Sequence, residues 1–481
     1  MGVYNFKMWG RKFLVDVESG NFFEADDTVL EAAVFIDKHN ENDLPAYLAK
    51  RHGAKRSGGI IRNLSLLKRN GMLFSKEQKN CPQAKRKITD LTLNIVNNCN
   101  LRCRYCWNKA GAYGTNKSYR KMTPGIAFKA IKLLMEESKG TRDLVVDFYG
   151  GEPLLNYDLI RQVISHCAEI KKKNKIGFRF LLATNGTLLD KEKAEFMIEN
   201  GVDIAVSIDG AKRIQDTQRP FPDGKGSFDA IMANLDSLKE GYRQRMVGRA
   251  TFTPYSTRLI STFKFLRSLG FNRIEVCESE KAGYGLNAKS KFFFNADTGV
   301  KRLKELYYKL ALFYTGEVLS GNLTYENTYF NRFFKQLSRL YHIQSVEGTC
   351  SAGFSLMAAD IDGSIYPCTA FVGLPDFRIG HADSGIDKSR LERFSDTKIS
   401  SSSACLDCWA KRLCRGCGSC YNLNYFSYHN PGQPDPYYCE LFRYKTKLMM
   451  AMIAAIGRKD GRLLDRVLVP EYYATRGRKQ K

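Results

Sequence analysis

The chain lacks any uninterrupted apolar stretch approaching the roughly 20 residues of a membrane-spanning helix, so no membrane partner is expected. Its first residues, MGVYNFKMWGRKF, contain neither an apolar h-region nor a cleavage site. Phe6 occupies the position where an N-myristoylation signal needs Ser or Thr. These absences point to a cytoplasmic protein. Polar low-complexity tracts are missing too. With 43% apolar and 12% aromatic residues, the 481-residue chain reads as globular and long enough for two or three domains with real cores. Acidic side chains are scarce: 50 Asp and Glu stand against 75 Lys and Arg, a formal net charge of +25. Such an excess suits nucleic acid or an acidic protein or peptide. The cations are spread along the chain, with only short runs at Lys171–Lys173 and in the final RGRKQK. A solvated basic surface is the default, and nucleic acid is not the expected partner.

The most telling absence is a fourth cysteine. Cys99, Cys103 and Cys106 follow the apolar run LTLNIV in the stretch NNCNLRCRYCWN, with spacing C-x3-C-x2-C. Three thiolates on one loop can hold three irons of a cubane iron–sulfur cluster, leaving one iron open to a substrate or cofactor. A structural zinc would take four protein ligands. Taken alone, the triad could also be three unrelated buried thiols. Fourteen cysteines in all would suggest disulfides, but most fall at short, metal-type spacings, which favours metal binding under reducing conditions. Cys81, Cys167 and Cys277 stand apart as incidental thiols.

With Tyr105 just before its last cysteine, the loop resembles the signature of the radical S-adenosylmethionine (SAM) superfamily. The resemblance implies a 4Fe–4S cluster on Cys99, Cys103 and Cys106 that chelates SAM and cleaves it to a 5′-deoxyadenosyl radical. Further motifs fit. YGGEP at Tyr149–Pro153 has two glycines, which let backbone approach a ligand, and a carboxylate. By resemblance, Gly150, Gly151 and Glu152 contact the SAM amino group. Asn185 with Thr184 in ATNGT, and Ser207 with Asp209 in SIDG, are placed to bond ribose or carboxylate. Arg219 matches an arginine that pairs with the SAM carboxylate, a role suited to the two parallel donors of a guanidinium. Each of these polar residues, taken singly, could be a cap or a turn residue.

Residues 91–278 repeat a short apolar strand, a loop and an amphipathic helix. The expected strands are 91–96, 144–149, 178–183, 203–208, 249–253 and 273–278. Such alternation gives an α/β fold with a parallel sheet and right-handed crossovers. Six units match the partial (β/α)6 barrel of the radical SAM family, expected over 88–300. Active-site residues of such folds sit at the carboxyl ends of strands. Residues 1–80 read as a separate unit: a hairpin turning near Ser19-Gly20, a helix capped by Asp26 or Asp27, and a second helix ending near Gly71. The pattern resembles the winged-helix-like peptide-recognition domains of enzymes that modify ribosomal peptides, which hold a leader peptide by strand addition. A structural extension is the plainer alternative. The stretch Lys76–Lys87 reads as a linker.

The C-terminal third carries Cys350, Gly363 and Cys368, then Cys405, Cys408, Cys414, Cys417 and Cys420, and last Cys439. This resembles the SPASM extension, expected over 345–445 with a basic tail at 446–481, and implies two auxiliary 4Fe–4S clusters. The family spacing asks for three residues between Cys414 and the next cysteine; Cys417 follows after two and Cys420 after five, so neither fits. By analogy the outer cluster takes Cys405, Cys408, Cys414 and Cys439. The inner takes Cys350, Cys368 and one or both of Cys417 and Cys420. C-x2-C pairs also occur in zinc ribbons.

These resemblances imply a radical SAM/SPASM peptide maturase. It is closest to the thioether-forming maturases of six-cysteine (ranthipeptide-type) precursors, with a precursor peptide bearing a leader as substrate and flavodoxin or ferredoxin as electron donor. Two alternatives are the anaerobic sulfatase-maturing type, which makes formylglycine, and a carbon–carbon crosslinking maturase. The sulfatase-maturing type places an aspartate base directly after the second auxiliary cysteine, where this chain has Thr369. A reading of another class is a basic, metal-binding nucleic-acid module without catalysis.

Overall fold

The computed structural model describes residues 2–76, 86–113, 118–279, 290–294, 299–322, 337, 340, 350–396, 403–414, 421–430 and 433–468. Cys81, Cys417, Cys420 and most of the expected linker lie outside them. The chain begins with an antiparallel sheet of β1 (Val3–Met8), β2 (Arg11–Asp16) and β3 (Phe22–Glu24). The turn between β2 and β3 is held by Asp16. Its Oδ1 accepts from Ser19 N (2.7 Å) and Ser19 Oγ (2.8 Å), and its Oδ2 accepts from Ser75 N (3.0 Å). The imperfect apolar alternation of β2 has a packing cause. Phe13 and Val15 enter the main core, whereas Leu14 packs under the helices Asp27–Lys38, Leu44–His52 and Ala54–Arg69. Both faces of the sheet are covered. Asp26 caps the first helix through Val29 N (2.9 Å), and Gly71 follows the third with φ +64°.

A second sheet holds the site. β4 (Asp90–Val96), β5 (Asp143–Gly150), β6 (Gly177–Thr184), β7 (Val202–Ser207), β8 (Val247–Phe252) and β9 (Arg273–Glu278) run parallel in sequence order. These are the six strands expected from the sequence. The sheet does not end at β4, however. β10 (Leu356–Ala359) pairs parallel to β4, and β11 (Ser364–Tyr366), β12 (Gly380–His381) and β13 (Gly385–Ile386) follow antiparallel, giving ten strands in a mixed sheet. An open β4 edge would leave a row of backbone donors and acceptors unpaired. The segment between Cys350 and Cys368 supplies the missing partner, and so brings the C-terminal cysteines beside the first barrel strand.

Residues 446–468, the described part of the stretch 446–481 read from sequence as a basic tail, are mostly packed helix. Pro436–Lys459 is one helix with Leu448, Met449, Met450, Ala451, Met452 and Ile453 buried, followed by a helix at Gly461–Leu468. Apolar periodicity there outweighs the terminal charges.

The N-terminal sheet rests on the loop between Cys408 and Cys414. Tyr4 stacks on Trp409 with centroids 4.6 Å apart and planes within 5°, and Lys447 Nζ lies 2.6 Å from Tyr4 OH. Glu18 pairs with Arg412 (2.8 Å) and Lys411 (2.5 Å). Trp409→Ala opens a hole at a side chain only 8% exposed, so a loss of about 3 kcal/mol is expected in chemical denaturation. A change within 0.5 kcal/mol of zero, the size expected for an ordinary surface substitution, would mean that the two parts do not support each other.

Candidate active site

Every motif singled out in the barrel follows the carboxyl end of a strand. The cysteine loop leaves β4, the Gly-Gly-Glu turn leaves β5, Thr184 and Asn185 close β6, and Ser207–Asp209 close β7. The thiols are reduced, Cys99 buried and Cys103 and Cys106 half-buried. Each sulfur is approached by nitrogen donors. Leu101 N lies 3.4 Å and Asn185 Nδ2 3.7 Å from Cys99 Sγ, Ala110 N 3.2 Å from Cys106 Sγ, and Arg219 Nη1 4.0 Å from Cys103 Sγ.

Burial pushes the Cys99 thiol up to about 12, aided by the charge of Glu152. Burial also raises Cys103 and Cys106, against the pull of Arg219 and of nearby N–H donors. Such thiols lose their protons to solvent or a base when a strong Lewis acid binds the sulfur, and surrounding N–H groups then stabilise the sulfur charge. Among the described residues no three His, Cys, Asp or Glu side chains converge on a single ion. A cubane does not require it, because each thiolate takes its own iron. The donor set fits an iron–sulfur cluster on Cys99, Cys103 and Cys106.

The two glycines do something other than admit a ligand. A Cβ on Gly151 would stand 2.0 Å from Asn98 O, and one on Gly150, at φ +131°, 2.2 Å from Val96 O. Gly151 N donates to Val96 O (3.0 Å) and Glu152 N to Asn98 O (2.9 Å). The turn is clamped to the backbone of the cysteine loop. Glu152 is 1% exposed and accepts from Thr184 Oγ1 (2.8 Å), Asn185 N (2.7 Å) and Leu154 N (3.1 Å), with burial raising its carboxyl to about 7. Thr184 is thereby turned inward. The Asn185 amide spans Cys99 and Asn100 Oδ1 (2.8 Å). Ser207 is half-buried at the end of β7.

Asp209 is a hub. Its Oδ2 accepts from Tyr105 OH (2.6 Å) and Gln218 Nε2 (2.7 Å), and its Oδ1 accepts from Thr251 N (2.9 Å) and lies 3.1 Å from Arg219 Nε. Arg219 in turn covers the Tyr105 ring at 5.3 Å. With every acceptor position of Asp209 taken, the group left to meet a ligand is Arg219, and Asp209 and Tyr105 position it.

Several site residues were not legible from motifs. Asn108 accepts from Cys106 Sγ (2.9 Å) and donates to Gly150 O (3.2 Å), joining loop and turn. Tyr113 OH donates to Asn94 Oδ1 (2.7 Å), and Thr369 Oγ1 lies 2.8 Å from Asn94 Oδ1 and 3.0 Å from Tyr113 OH. Asp147 shares a face of β5 with Tyr149. Burial, opposed by Arg249, raises its carboxyl to about 7. Strand alternation in LVVDFYG could have flagged it.

In the second cysteine field, Cys350, Cys368 and Cys405 pack against one apolar cluster with Tyr113, Phe371 and Phe394. Burial raises Cys439 to about 11, and Cys405 and Cys408 lie close enough to add to the shift. All six described cysteines of this field are reduced and half-buried.

Residues 93–258 match the sequence profile of the Radical SAM superfamily. The cysteine-type anaerobic sulfatase-maturating enzyme of Clostridium novyi (strain NT) is 26% identical over 364 residues, 72% of this chain and 91% of that protein. In structure, native anSMEcpe with bound AdoMet and the Cp18Cys peptide superposes with TM-score 0.63 at 22% identity, covering 77% of this chain and 99% of that one. Streptococcus suis SuiB bound to precursor peptide SuiA gives TM-score 0.51 at 16% identity, covering 91% and 98%. The structural likenesses establish the fold: a radical SAM core with a cysteine-rich C-terminal region like a SPASM domain. The profile match, together with the fold, supports a SAM-using enzyme. No helix among the described residues is long and apolar enough to cross a membrane.

Proposed function

We propose that this enzyme oxidises a side chain of a ribosomally made peptide in the cytoplasm and closes a thioether crosslink. The cluster that Cys99, Cys103 and Cys106 would hold supplies, with SAM, a hydrogen-abstracting radical. Arg219, held by Asp209 and Tyr105, offers its guanidinium to the SAM carboxylate. Glu152, Asn185 and Ser207 line the same ends of the strands, and Gly150 and Gly151 keep the cysteine loop against them. Cys350 and Cys368, with Cys417 or Cys420, and Cys405, Cys408, Cys414 and Cys439 would carry two auxiliary clusters. The N-terminal sheet, read as a winged-helix-like recognition domain, would take the leader.

The observation that carries the product is Thr369. Directly after Cys368, where a sulfatase maturase keeps its aspartate base, the side chain is bound to Asn94 and Tyr113. Burial holds the Tyr113 phenol far above its ordinary range, so it stays protonated. No carboxylate base stands at that position.

A second reading is sulfatase-type oxidation of Cys or Ser to formylglycine. The Clostridium novyi relative and the anSMEcpe fold weigh toward it more than the comparisons weigh toward crosslinking. Mass spectrometry of a co-expressed cysteine-bearing substrate separates the two. Loss of two hydrogens with sulfur retained and the thiol unavailable to alkylation is the expected result. Loss of sulfur with a new aldehyde would overturn it, and an unreacted thiol beside a mass loss of two hydrogens would indicate a carbon–carbon bond.

A further inference from the structure

Asp147 has no part in the site described so far. Leu144, Val146 and Phe148 of the same strand are buried in the main core, so Asp147 and Tyr149 point from the other face of the sheet, into the barrel. That face continues in register across the neighbouring strands. Thr92 on β4 and Leu181 on β6 stand beside Asp147, and Asp203 on β7 stands beside Leu181. Toward the carboxyl ends, Asn94 stands beside Tyr149, and Asn94 is the residue that holds Thr369. Asp147 is therefore one pleat repeat, about 7 Å, deeper in the barrel than the row that carries Thr369. The carboxylates on the adjoining strands are engaged. Asp90 accepts from Thr89 Oγ1 (2.6 Å), Asp203 pairs with Arg179 (2.7 Å) and Arg273 (3.6 Å), and Glu275 lies 3.8 Å from Arg249 Nε. Asp147 is half-buried and has no hydrogen-bond or ion-pair partner among the described residues; burial, Arg249 and Asp90 are the influences on its carboxyl. Ala183 and Ala205, paired on the same face of β6 and β7, are small and leave room beside it. A carboxyl withdrawn from water without a donor is costly to keep, and an incoming donor would relieve it.

We propose that Asp147 is the proton acceptor for the thiol of the peptide substrate. The inference rests on the thioether reading of the product. In the step the peptide C–H bond gives its hydrogen atom to the 5′-deoxyadenosyl radical, and the S–H bond gives its proton to Asp147. The C–S bond forms, and the one electron left over reduces an iron–sulfur centre of the C-terminal cysteines. A base serves best when its proton affinity matches the working pH, and burial has brought the Asp147 carboxyl to about 7. Tyr149, two residues on, is raised by burial and stays protonated, so it is no rival base. Thr369 offers only a hydroxyl, which leaves the carboxyl of Asp147 as the group on this face with a free acceptor.

The test uses the holoenzyme, the cysteine-bearing peptide of the co-expression experiment, and the variants Asp147→Asn and Asp147→Glu. Asp147→Asn keeps the shape of the side chain and removes its proton affinity. Crosslinking is expected to fall at least about a hundredfold, while 5′-deoxyadenosine release continues without product. Iron per chain and peptide affinity should match the parent. The parental crosslinking rate should rise with pH through the neutral range and then level off, because the carboxyl must be ionised to accept a proton. Asp147→Asn should lose that rise, and Asp147→Glu should recover part of the rate together with it. A parental rate and pH profile in Asp147→Asn would overturn the proposal. Loss of iron or of peptide affinity in that variant would overturn it too, by making Asp147 a structural or peptide-binding residue. Failure of the product reading looks different, because the parent itself would then form no thioether, and the proposal would fall with it.

Discussion

Gly151→Ala will empty the first cluster site and stop SAM cleavage while the C-terminal cysteines keep their metal. The new Cβ would stand 2.0 Å from Asn98 O, 2.2 Å from Asn98 C and 2.6 Å from Ala110 O. All three are backbone atoms, so no side chain can swing aside. They also bracket the triad: Asn98 precedes Cys99, and Ala110 N is the donor to Cys106 Sγ. Relief requires the cysteine loop to leave the β5 turn, which breaks the bonds from Gly151 N to Val96 O and from Glu152 N to Asn98 O. Misplacement of reacting groups by about 1 Å costs on the order of a hundredfold in rate, and loss of the cluster would cost more. Iron per chain and SAM cleavage under dithionite measure the effect. Cys103→Ala should give the same signature by removing a ligand outright. Gly125→Ala is the control, since a Cβ there meets nothing within 4 Å. Full iron loading and parental cleavage in Gly151→Ala would sink the account.

That prediction marks a limit of reading by motif. The spacing of Gly150 and Gly151 drew attention to the right turn, but their glycine character reads as room for a ligand, and the space is filled by Val96 O and Asn98 O. Local sequence cannot say which distant backbone occupies an absent side chain. The parallel strands β4–β9 were legible because each apolar run is bounded by polar loops and followed by a helix-period segment. The strands β10–β13 were not. They are two to four residues long, and they exist because β4 presents an open edge, a tertiary fact. Asp209 shows the same limit at the site itself. Its place in SIDG identified it, but not that Tyr105, Gln218, Thr251 and Arg219, from three other segments, would use up its oxygens. Asn108, Asn94 and Tyr113 lie in no motif and were found only by their bonds.

Asp209→Asn should be the most damaging isosteric change in the molecule. The carboxylate side chain is fully buried and faces the Arg219 guanidinium, itself only 11% exposed. Replacing one oxygen by an amide NH2 removes the countercharge and turns a donor toward Gln218 Nε2 or Thr251 N, each already a donor to this side chain. Breaking one half of a buried ion pair costs about 3–5 kcal/mol, because the other charge stays behind unpaired. Arg219 would then drift from the Tyr105 ring and from Cys103, and SAM affinity would fall with it. Denaturant unfolding and SAM binding report the two effects separately. Asp223→Asn, at an exposed and solvent-screened pair with Lys225, should leave stability near the parental value. The double variant Asp209→Asn, Arg219→Met discriminates the cause. With both charges gone, stability should recover a good part of the single-variant loss while SAM binding stays lost. If the double variant is as unstable as the sum of its parts, Asp209 acts through its backbone-facing bond to Thr251 rather than through Arg219. The role of the pair in holding the guanidinium toward Cys103 would then be wrong.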